Sequence, residues 1–232
     1  MKIIVVFLLC TSLSLFAFET SNIQLLYSDN FDGDAFIYDV KDAKKTTVTF
    51  EHFRTFGYGD FFMFIDMVDG KKFDGSEHDV YVELAPRVSL SKISKKSLSF
   101  GLIQDWYIST QLNVGDDYRA YMGGIGIDLL LPLFTFVNIN LYHKSENINE
   151  SDSYQMTAAY RTKPLYGLHI NGFLDMTKRD INTHNQLLFD ISTLLDTNEQ
   201  IYIGCEWIYY RYDYGQKNFR TNTLQAMLKY KF

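Results

Sequence analysis

The sequence has little cysteine, little proline and no excess of positive charge. Its 232 residues include two cysteines and three prolines, and the formal net charge is −6. An acidic chain is a poor partner for nucleic acid, whose phosphates attract basic surfaces. After residue 18 no stretch resembles a membrane-spanning helix, which needs about 20 predominantly apolar residues. We therefore expect neither a nucleic-acid partner nor a helical membrane anchor.

The N-terminal segment has the layout of a secretory signal peptide. Lys2 precedes an apolar stretch, and the small residue Ala17 stands shortly before the first acidic residue, Glu19. The uncharged stretch is short for a spanning helix and is interrupted by hydroxyl residues. We predict that residues 1–17 are cleaved and that residues 18–232 form a single domain.

The remaining chain must be stabilised without an internal disulfide, because Cys205 is its only cysteine. Aromatic residues make up 16% of the sequence, with 17 Tyr and 19 Phe, yet the mean hydropathy is only −0.13. Many aromatics, few prolines and modest hydropathy in an exported chain indicate strands that alternate apolar and polar side chains.

Such alternation recurs along the chain. In DVYVELAPRVSL (79–90), Val80 and Val82 share one face, while Tyr81 and Glu83 share the other. Successive side chains of a strand point to opposite faces, so the two faces meet different environments. Strands are predicted at 21–28, 46–55, 61–67, 78–90, 102–113, 118–130, 134–143, 153–162, 168–176, 185–194, 200–212 and 223–232.

The connections between these strands differ in length. Those after strands 1, 3, 7, 9 and 11 are polar and charged, and those after strands 2, 6, 8 and 10 are compact. Two connections depart from this rule, since GDD is short and SKISKKSLSFG is long. Short turns at one end and longer loops at the other are typical of outer-membrane barrels. We predict an all-β, transmembrane, antiparallel up-and-down β-barrel of about 12 strands.

The last strand and one proline carry further information. The segment LQAMLKYKF places Leu228, Tyr230 and Phe232 on one face and Lys229 on the other. A closed barrel in lipid must pair its last strand with its first, and a terminal aromatic suits the periplasmic girdle. Pro86 lies inside strand 4 and cannot donate a ladder hydrogen bond, so we expect a β-bulge there.

Several segments resemble the Tsx family of nucleoside-specific outer-membrane channels. They include ELAPRVSLSKISKKSLSFG (83–101), DWYIS (105–109) and YMGGIGIDLLLPLFTFVNINLY (121–142). The likeness runs over nearly all of the mature chain. It implies a twelve-stranded monomeric barrel whose narrow lumen passes nucleosides. The final phenylalanine also resembles the signal by which the bacterial barrel assembly machinery recognises its substrates.

The face predicted to line the lumen combines aromatic rings with polar groups. A nucleoside has a flat base and a hydroxyl-rich sugar, and stacking of a base on an aromatic ring contributes about 1–3 kcal/mol. The candidate solute-binding residues are Glu51, Phe53, Glu83, Arg87, Tyr107, Gln111, Asn138, Asn140, Asn171, Phe173, Asp175, Glu206 and Tyr210. The alternative is that these groups pair with one another to fill a narrow barrel. In that case Glu83 and Arg87 would form an ion pair, in a network with Arg161 and Lys229.

Catalytic and metal sites are not indicated. Acyl transfer needs a nucleophile with a base in hydrogen-bond reach, and we expect the five histidines near strand ends or in loops. His52 is expected on the opposite face from Glu51. The loop DNFDGD (29–34) lacks the final glutamate of a calcium loop. We expect no enzyme activity, no cofactor and no bound metal.

These observations predict a passive outer-membrane channel of a Gram-negative bacterium, for nucleosides or similarly small polar solutes. The expected partners are the solute, outer-membrane lipid with lipopolysaccharide, and the assembly machinery. The competing class is a structural barrel whose loops act as an adhesin or phage-docking site, without a selective pore.

Overall fold

The computed structural model describes residues 18–31, 44–70, 78–147, 152–214 and 217–232. The predicted signal peptide, residues 1–17, lies outside these ranges, as does the second half of the acidic loop DNFDGD. Within the described ranges, no helix is long and apolar enough to cross a membrane.

Antiparallel strands make up most of the described chain and form one closed barrel. The strands are β1 (Glu19–Ser28), β2 (Lys45–Phe56), β3 (Gly59–Asp69), β4 (His78–Ser89), β5 (Ile103–Val114), β6 (Arg119–Leu129), β7 (Phe134–Glu146), β8 (Ser153–Thr162), β9 (Leu168–Met176), β10 (Asp180–Asp190), β11 (Gln200–Tyr214) and β12 (Lys217–Lys231). Each strand pairs with the next along the chain, and β1 pairs with β12. The predicted twelve-stranded barrel is confirmed.

Closure of the barrel depends on the seam between the first and last strands. Leu25 lies opposite Leu228 in this pairing. At the end of the seam, Ser21 and Phe232 exchange two backbone hydrogen bonds of 3.1 and 2.9 Å. The seam therefore satisfies backbone groups that would otherwise face lipid.

The two faces of the sheet are inverted relative to a soluble barrel. Ile23 and Leu25 are 45% and 47% exposed on the outside, whereas Gln24 and Gln225 are each 1% exposed on the inside. A sheet in water buries its apolar face instead. Apolar side chains outside and polar side chains inside are the arrangement of a barrel whose outer wall contacts lipid.

Strand β10 corrects the sequence prediction. It spans Asp180–Asp190 instead of 185–194, and a tight turn precedes it, with the Thr177 backbone N–H donating to Asp180 at 2.9 Å. Asn185 lies on the outer face, where it is hydrogen-bonded to the Tyr160 hydroxyl and to Thr183. These polar residues satisfy one another on the lipid side, so the strand lacks the apolar alternation that marks the others.

The prediction of a β-bulge at Pro86 is wrong. Phe61 pairs with Pro86 in an unbroken β3–β4 register. On the other side, pairing with β5 has the same register before and after Ala85 and Pro86, which are left unpaired. The Thr110 hydroxyl donates to the Pro86 carbonyl oxygen at 3.2 Å, which links the two strands at the unpaired positions.

The two unusual connections are where the sequence placed them. After β4 the chain enters the short helix α1 (Leu90–Ser94), whose backbone N–H at Lys92 donates to the Ser89 hydroxyl at 3.0 Å. After β5 the chain turns tightly, with the Gly115 N–H donating to Tyr118 at 2.8 Å. We assign the end that carries α1, both termini and the compact turns to the periplasm.

Close backbone approach at Gly124 generates a prediction about stability. A Cβ atom at Gly124 would lie 1.9 Å from the Leu141 carbonyl oxygen, whereas one at Gly123 would meet no heavy atom within 4 Å. Because overpacking costs about 1–3 kcal/mol, Gly124→Ala should lower the free energy of unfolding in urea by that amount. Gly123→Ala on the adjacent residue should leave it unchanged. Equal stability of the two variants would contradict the close approach.

Candidate functional site in the barrel lumen

All of the predicted lumen residues lie at inward-facing strand positions, on the same side as buried residues such as Ser109 and Gln225. They do not form a single cluster. The lumen groups them into an arginine-centred cluster near the periplasmic end, a polar network on the β10–β1 wall, a carboxylate pair across the lumen, and smaller asparagine contacts.

Arg87 is fully engaged by two carboxylates. Its Nε and Nη2 donate to the two Asp60 oxygens at 2.8 and 2.7 Å, and its Nη1 donates to Asp128 at 2.9 Å. The Tyr107 hydroxyl donates to the other Asp128 oxygen at 2.9 Å, and the guanidinium lies 4.1 Å from the Tyr107 ring centroid. Strands β3 to β6 are thus tied together at their periplasmic ends, so Arg87 and Tyr107 belong to the framework of the barrel wall.

The alternative interpretation, in which Glu83 forms an ion pair with Arg87, does not match the ion pairs of the described residues, where Arg87 pairs with Asp60 and Asp128. Four residues along a strand correspond to about 13 Å, too far for contact between the two charged groups. Glu83 instead accepts hydrogen bonds from Tyr81 at 2.8 Å and from Gln111 and Asn113 at 3.0 Å each.

Glu83 on β4 faces Asp175 on β9. Four strands separate them, which places them on opposite walls. The Asp175 carboxylate lies close enough to Glu83 for the two charges to interact, and it accepts a hydrogen bond from Thr157 at 2.6 Å. The two carboxylates are therefore held by uncharged donors and confront each other across the lumen.

A polar network covers the wall formed by β10, β11, β12 and β1. Glu206 accepts hydrogen bonds from Gln186 at 2.9 Å and Gln225 at 3.3 Å, and lies 3.4 Å from His184 Nδ1. Gln186 also donates to Gln24 at 3.0 Å, which connects β10 with β1. His184 was expected near a strand end or loop, and that expectation is wrong because β10 begins earlier than predicted.

The remaining candidates make local contacts. Glu51 accepts hydrogen bonds from Asn22 at 2.8 Å and Lys229 at 3.1 Å. Phe173 stacks on His184 with ring centroids 4.8 Å apart. The other contacts are Ser109 to Asn140 at 2.8 Å, Asn140 to Asn138 at 3.4 Å and Arg161 to Asn171 at 2.8 Å, and Tyr210 is buried.

A line of aromatic rings on one wall was missed by the sequence analysis, apart from Phe53. Phe53 lies directly opposite Phe62, and ring centroids are separated by 6.1 Å from Phe62 to Phe64, 5.8 Å from Phe64 to Tyr81 and 6.4 Å from Tyr81 to Tyr118. We call these five residues the aromatic track. It runs from the periplasmic half of the lumen to the opposite end.

The alternation of polarity does not reveal the aromatic track in β3, because both faces of this strand carry apolar residues. In GDFFMFIDMVD, Phe62 and Phe64 point inward while Phe61 and Met63 point outward, so alternation of polarity cannot assign a face. The pairing of Phe64 with the inward-facing Glu51 could have assigned it.

His52 faces outward, as expected. Its Nδ1 lies 2.9 Å from the Ser21 hydroxyl, but its Nε2 is 3.9 Å from Glu19, beyond hydrogen-bond length. The backbone groups here pair β1 with β2, so this contact does not provide a free oxyanion donor. Within the described ranges, no group of three or more His, Cys, Asp or Glu side chains is arranged to hold a metal ion.

Comparison with known proteins identifies the family. Residues 28–221 match the family model of the nucleoside-specific channel-forming protein Tsx. The chain belongs to the Tsx family. This family is one of channels, not of enzymes, and the match confirms the resemblance seen in the sequence.

Individual relatives match this chain at modest sequence identity and over only part of its length. Tsx of Salmonella typhimurium is 30% identical over 153 residues, which cover 58% of this chain and 50% of that protein. Outer membrane protein OmpK of Vibrio parahaemolyticus is 28% identical over 125 residues, covering 51% of this chain and 47% of that protein. The chain thus spans about half the length of the curated relatives it matches. Family and fold together place the protein in the outer membrane.

Among solved structures, the KdgM porin has the same barrel fold. It superposes with a TM-score of 0.52 at 12% identity, covering 91% of this chain and 99% of that one. At this identity the similarity concerns the fold alone.

The Arg87 cluster generates a prediction about stability. Arg87→Gln leaves the buried Asp60 and the half-buried Asp128 without their cation, which should lower the free energy of unfolding by about 3–5 kcal/mol. Arg161→Gln removes a single hydrogen bond to Asn171 and should cost about 1 kcal/mol. Urea unfolding in micelles, followed by tryptophan fluorescence, measures both, and equal losses would contradict a special role for Arg87.

Proposed function

We propose that this protein is a passive outer-membrane channel for nucleosides or similarly small polar solutes. The observation that carries the proposal is the aromatic track on one wall of a lumen whose other walls also carry many buried polar side chains. A solute with one flat face and one hydroxyl-rich part would find a complementary surface for each. Movement down a gradient needs neither a cofactor nor coupled energy, and the proposal includes no enzymatic activity.

The aromatic track supplies the flat contacts. Neighbouring rings lie about one ring diameter apart, so a base leaving Phe64 would meet Tyr81 before losing contact with the first ring. Stacking contributes about 1–3 kcal/mol per base and tolerates different bases. Sites of moderate strength in series favour entry while still permitting exit, which conduction requires.

The facing carboxylates supply the polar contacts. Glu83 and Asp175 are held by neutral donors, whereas Glu51 is held by Lys229 and Glu146 by Lys144. The negative charge of Glu83 and Asp175 is therefore less compensated by neighbouring cations than the charge of Glu51 or Glu146. Hydroxyl and amine donors of a solute would bind there, and anionic solutes would be disfavoured.

The proposal also includes several other features, each of which can be tested separately. They are removal of residues 1–17 on export, insertion by the barrel assembly machinery, a monomeric state, the absence of a nucleic-acid partner and contact with lipopolysaccharide. The Tsx-family membership and the lipid-facing outer wall support them.

The test of the proposed function is block of single-channel current by nucleosides. In planar bilayers, adenosine should interrupt the current of the wild type. Phe64→Leu, which removes one ring from the aromatic track, should shorten the interruptions by about tenfold, the equivalent of about 1.4 kcal/mol. Phe61→Leu on the outer face of the same strand should leave them unchanged. A barrel that conducts no ions would favour the structural, surface-interaction class instead.

The carboxylate pair has its own test. Glu83→Ala combined with Asp175→Ala removes two hydrogen-bond acceptors from the path, so nucleoside flux into proteoliposomes should change. Glu199→Ala combined with Asp213→Ala makes the same charge change at exposed positions and should leave flux at the wild-type value. Unchanged flux in the Glu83 and Asp175 variant would remove both residues from the binding path.

A further inference from the structure

A small polar cluster interrupts the apolar outer wall at its periplasmic edge. It consists of Glu19 and Ser21 on β1 and of His52 and Arg54 on β2, which we call the headgroup cluster. Glu19 is the register partner of Arg54, and Ser21 is the register partner of His52. All four lie on the same face as the exposed residue Ile23, so they point away from the lumen.

The cluster lies at the depth of lipid headgroups. Above it, the outward positions of β1 are Ile23, Leu25 and Tyr27, which belong to the apolar band. Beside it across the seam, Tyr230 and Phe232 stack with ring centroids 5.8 Å apart, as expected of aromatics at a membrane–water interface. Charged groups on the lipid face are costly at the bilayer midplane but cost little near the interface.

The cationic side of the cluster is incompletely satisfied. Among the described residues, the Arg54 Nε is buried and has no hydrogen-bond partner. Its distance to the Glu19 carboxylate is 3.7 Å, which brings the charges together without forming a hydrogen bond. The Arg54 side chain is 36% exposed, so other guanidinium donors can reach a ligand from the lipid side. A planar guanidinium with free donors is suited to a phosphate.

The anionic side of the cluster has room beside it. Glu19 borders a cavity of about 320 Å³ that is also lined by Glu199, Lys231 and Phe232. Glu199 is held at this edge by a hydrogen bond from the Tyr230 hydroxyl at 2.8 Å. The two carboxylates outnumber the single lysine in the lining of this cavity, so its rim can receive an ammonium group. Arg54 and His52 lie on the other side of Glu19.

From these observations we infer that the headgroup cluster binds one aminophospholipid of the periplasmic leaflet. The phosphate would contact Arg54 and His52, and the ammonium would contact Glu19 at the mouth of the cavity. A zwitterionic headgroup can pair with both the cationic and the anionic residues of the cluster. A headgroup without an amine can pair only with the cationic residues. The bound lipid would lie across the β1–β2 pair next to the seam and would stabilise the part of the barrel on which closure depends.

The inference is tested by native mass spectrometry of the full-length protein in detergent, titrated with phosphatidylethanolamine or phosphatidylglycerol. Arg54→Gln should weaken binding of both lipids by about fivefold or more, since it removes the charged phosphate donor. Glu19→Gln should weaken binding of phosphatidylethanolamine but not of phosphatidylglycerol. Arg220→Gln changes an outward arginine at the opposite end of the barrel and should bind both lipids as the wild type does.

Two results would overturn the inference. One is that Arg54→Gln and Arg220→Gln bind phosphatidylethanolamine equally well. The other is that Glu19→Gln affects the two lipids alike, which would remove the ammonium contact. The heat-dependent gel mobility of each variant shows that the barrel is folded. If Arg54→Gln does not fold, Arg54→Lys and Glu19→Gln still decide, because the lysine variant should retain binding of both lipids within about threefold.

Discussion

Satisfaction of backbone hydrogen bonds in lipid is the constraint on which the rest of this structure depends. Each unpaired N–H or C=O group in the bilayer would cost several kcal/mol, so the sheet must close on itself. Here closure depends on β1 and β12, whose pairing continues to the bonds between Ser21 and Phe232. The order of the strands around the barrel follows from that closure, because each strand pairs with its neighbours in the sequence.

Closure also determines what the lumen can be. Most outer positions are apolar, so most polar side chains are turned inward and must find partners in a narrow space. Arg87 with Asp60 and Asp128, and Glu206 with its glutamines, are results of that requirement. Residues of these networks stabilise the wall. In the proposed channel, the surface left for a solute is the aromatic track together with the level of Glu83 and Asp175.

The sequence correctly predicted which side chains face the lumen in strands where one face is mainly apolar and the other mainly polar. In β4 and in the C-terminal half of β12 the apolar and polar positions mostly alternate, and the sequence correctly predicted that Glu83, Arg87 and Lys229 face inward. The prediction was wrong in strands where polar residues face outward or apolar residues face inward. Outward Asn185 and Thr183 concealed the start of β10, and inward Phe62 and Phe64 concealed the track in β3. In both cases local side-chain contacts satisfy residues that are atypical for their face.

The sequence by itself determined the fold class, the number of strands and the inward position of every candidate lumen residue, because these depend on a local period of two residues. Tertiary structure decided which inward residues meet. The partners of Arg87 lie 27 and 41 residues away in the chain, and Glu83 faces a carboxylate five strands further round the barrel. The curvature of the closed sheet brings such groups together. Strand register and barrel closure are collective properties that no single segment encodes.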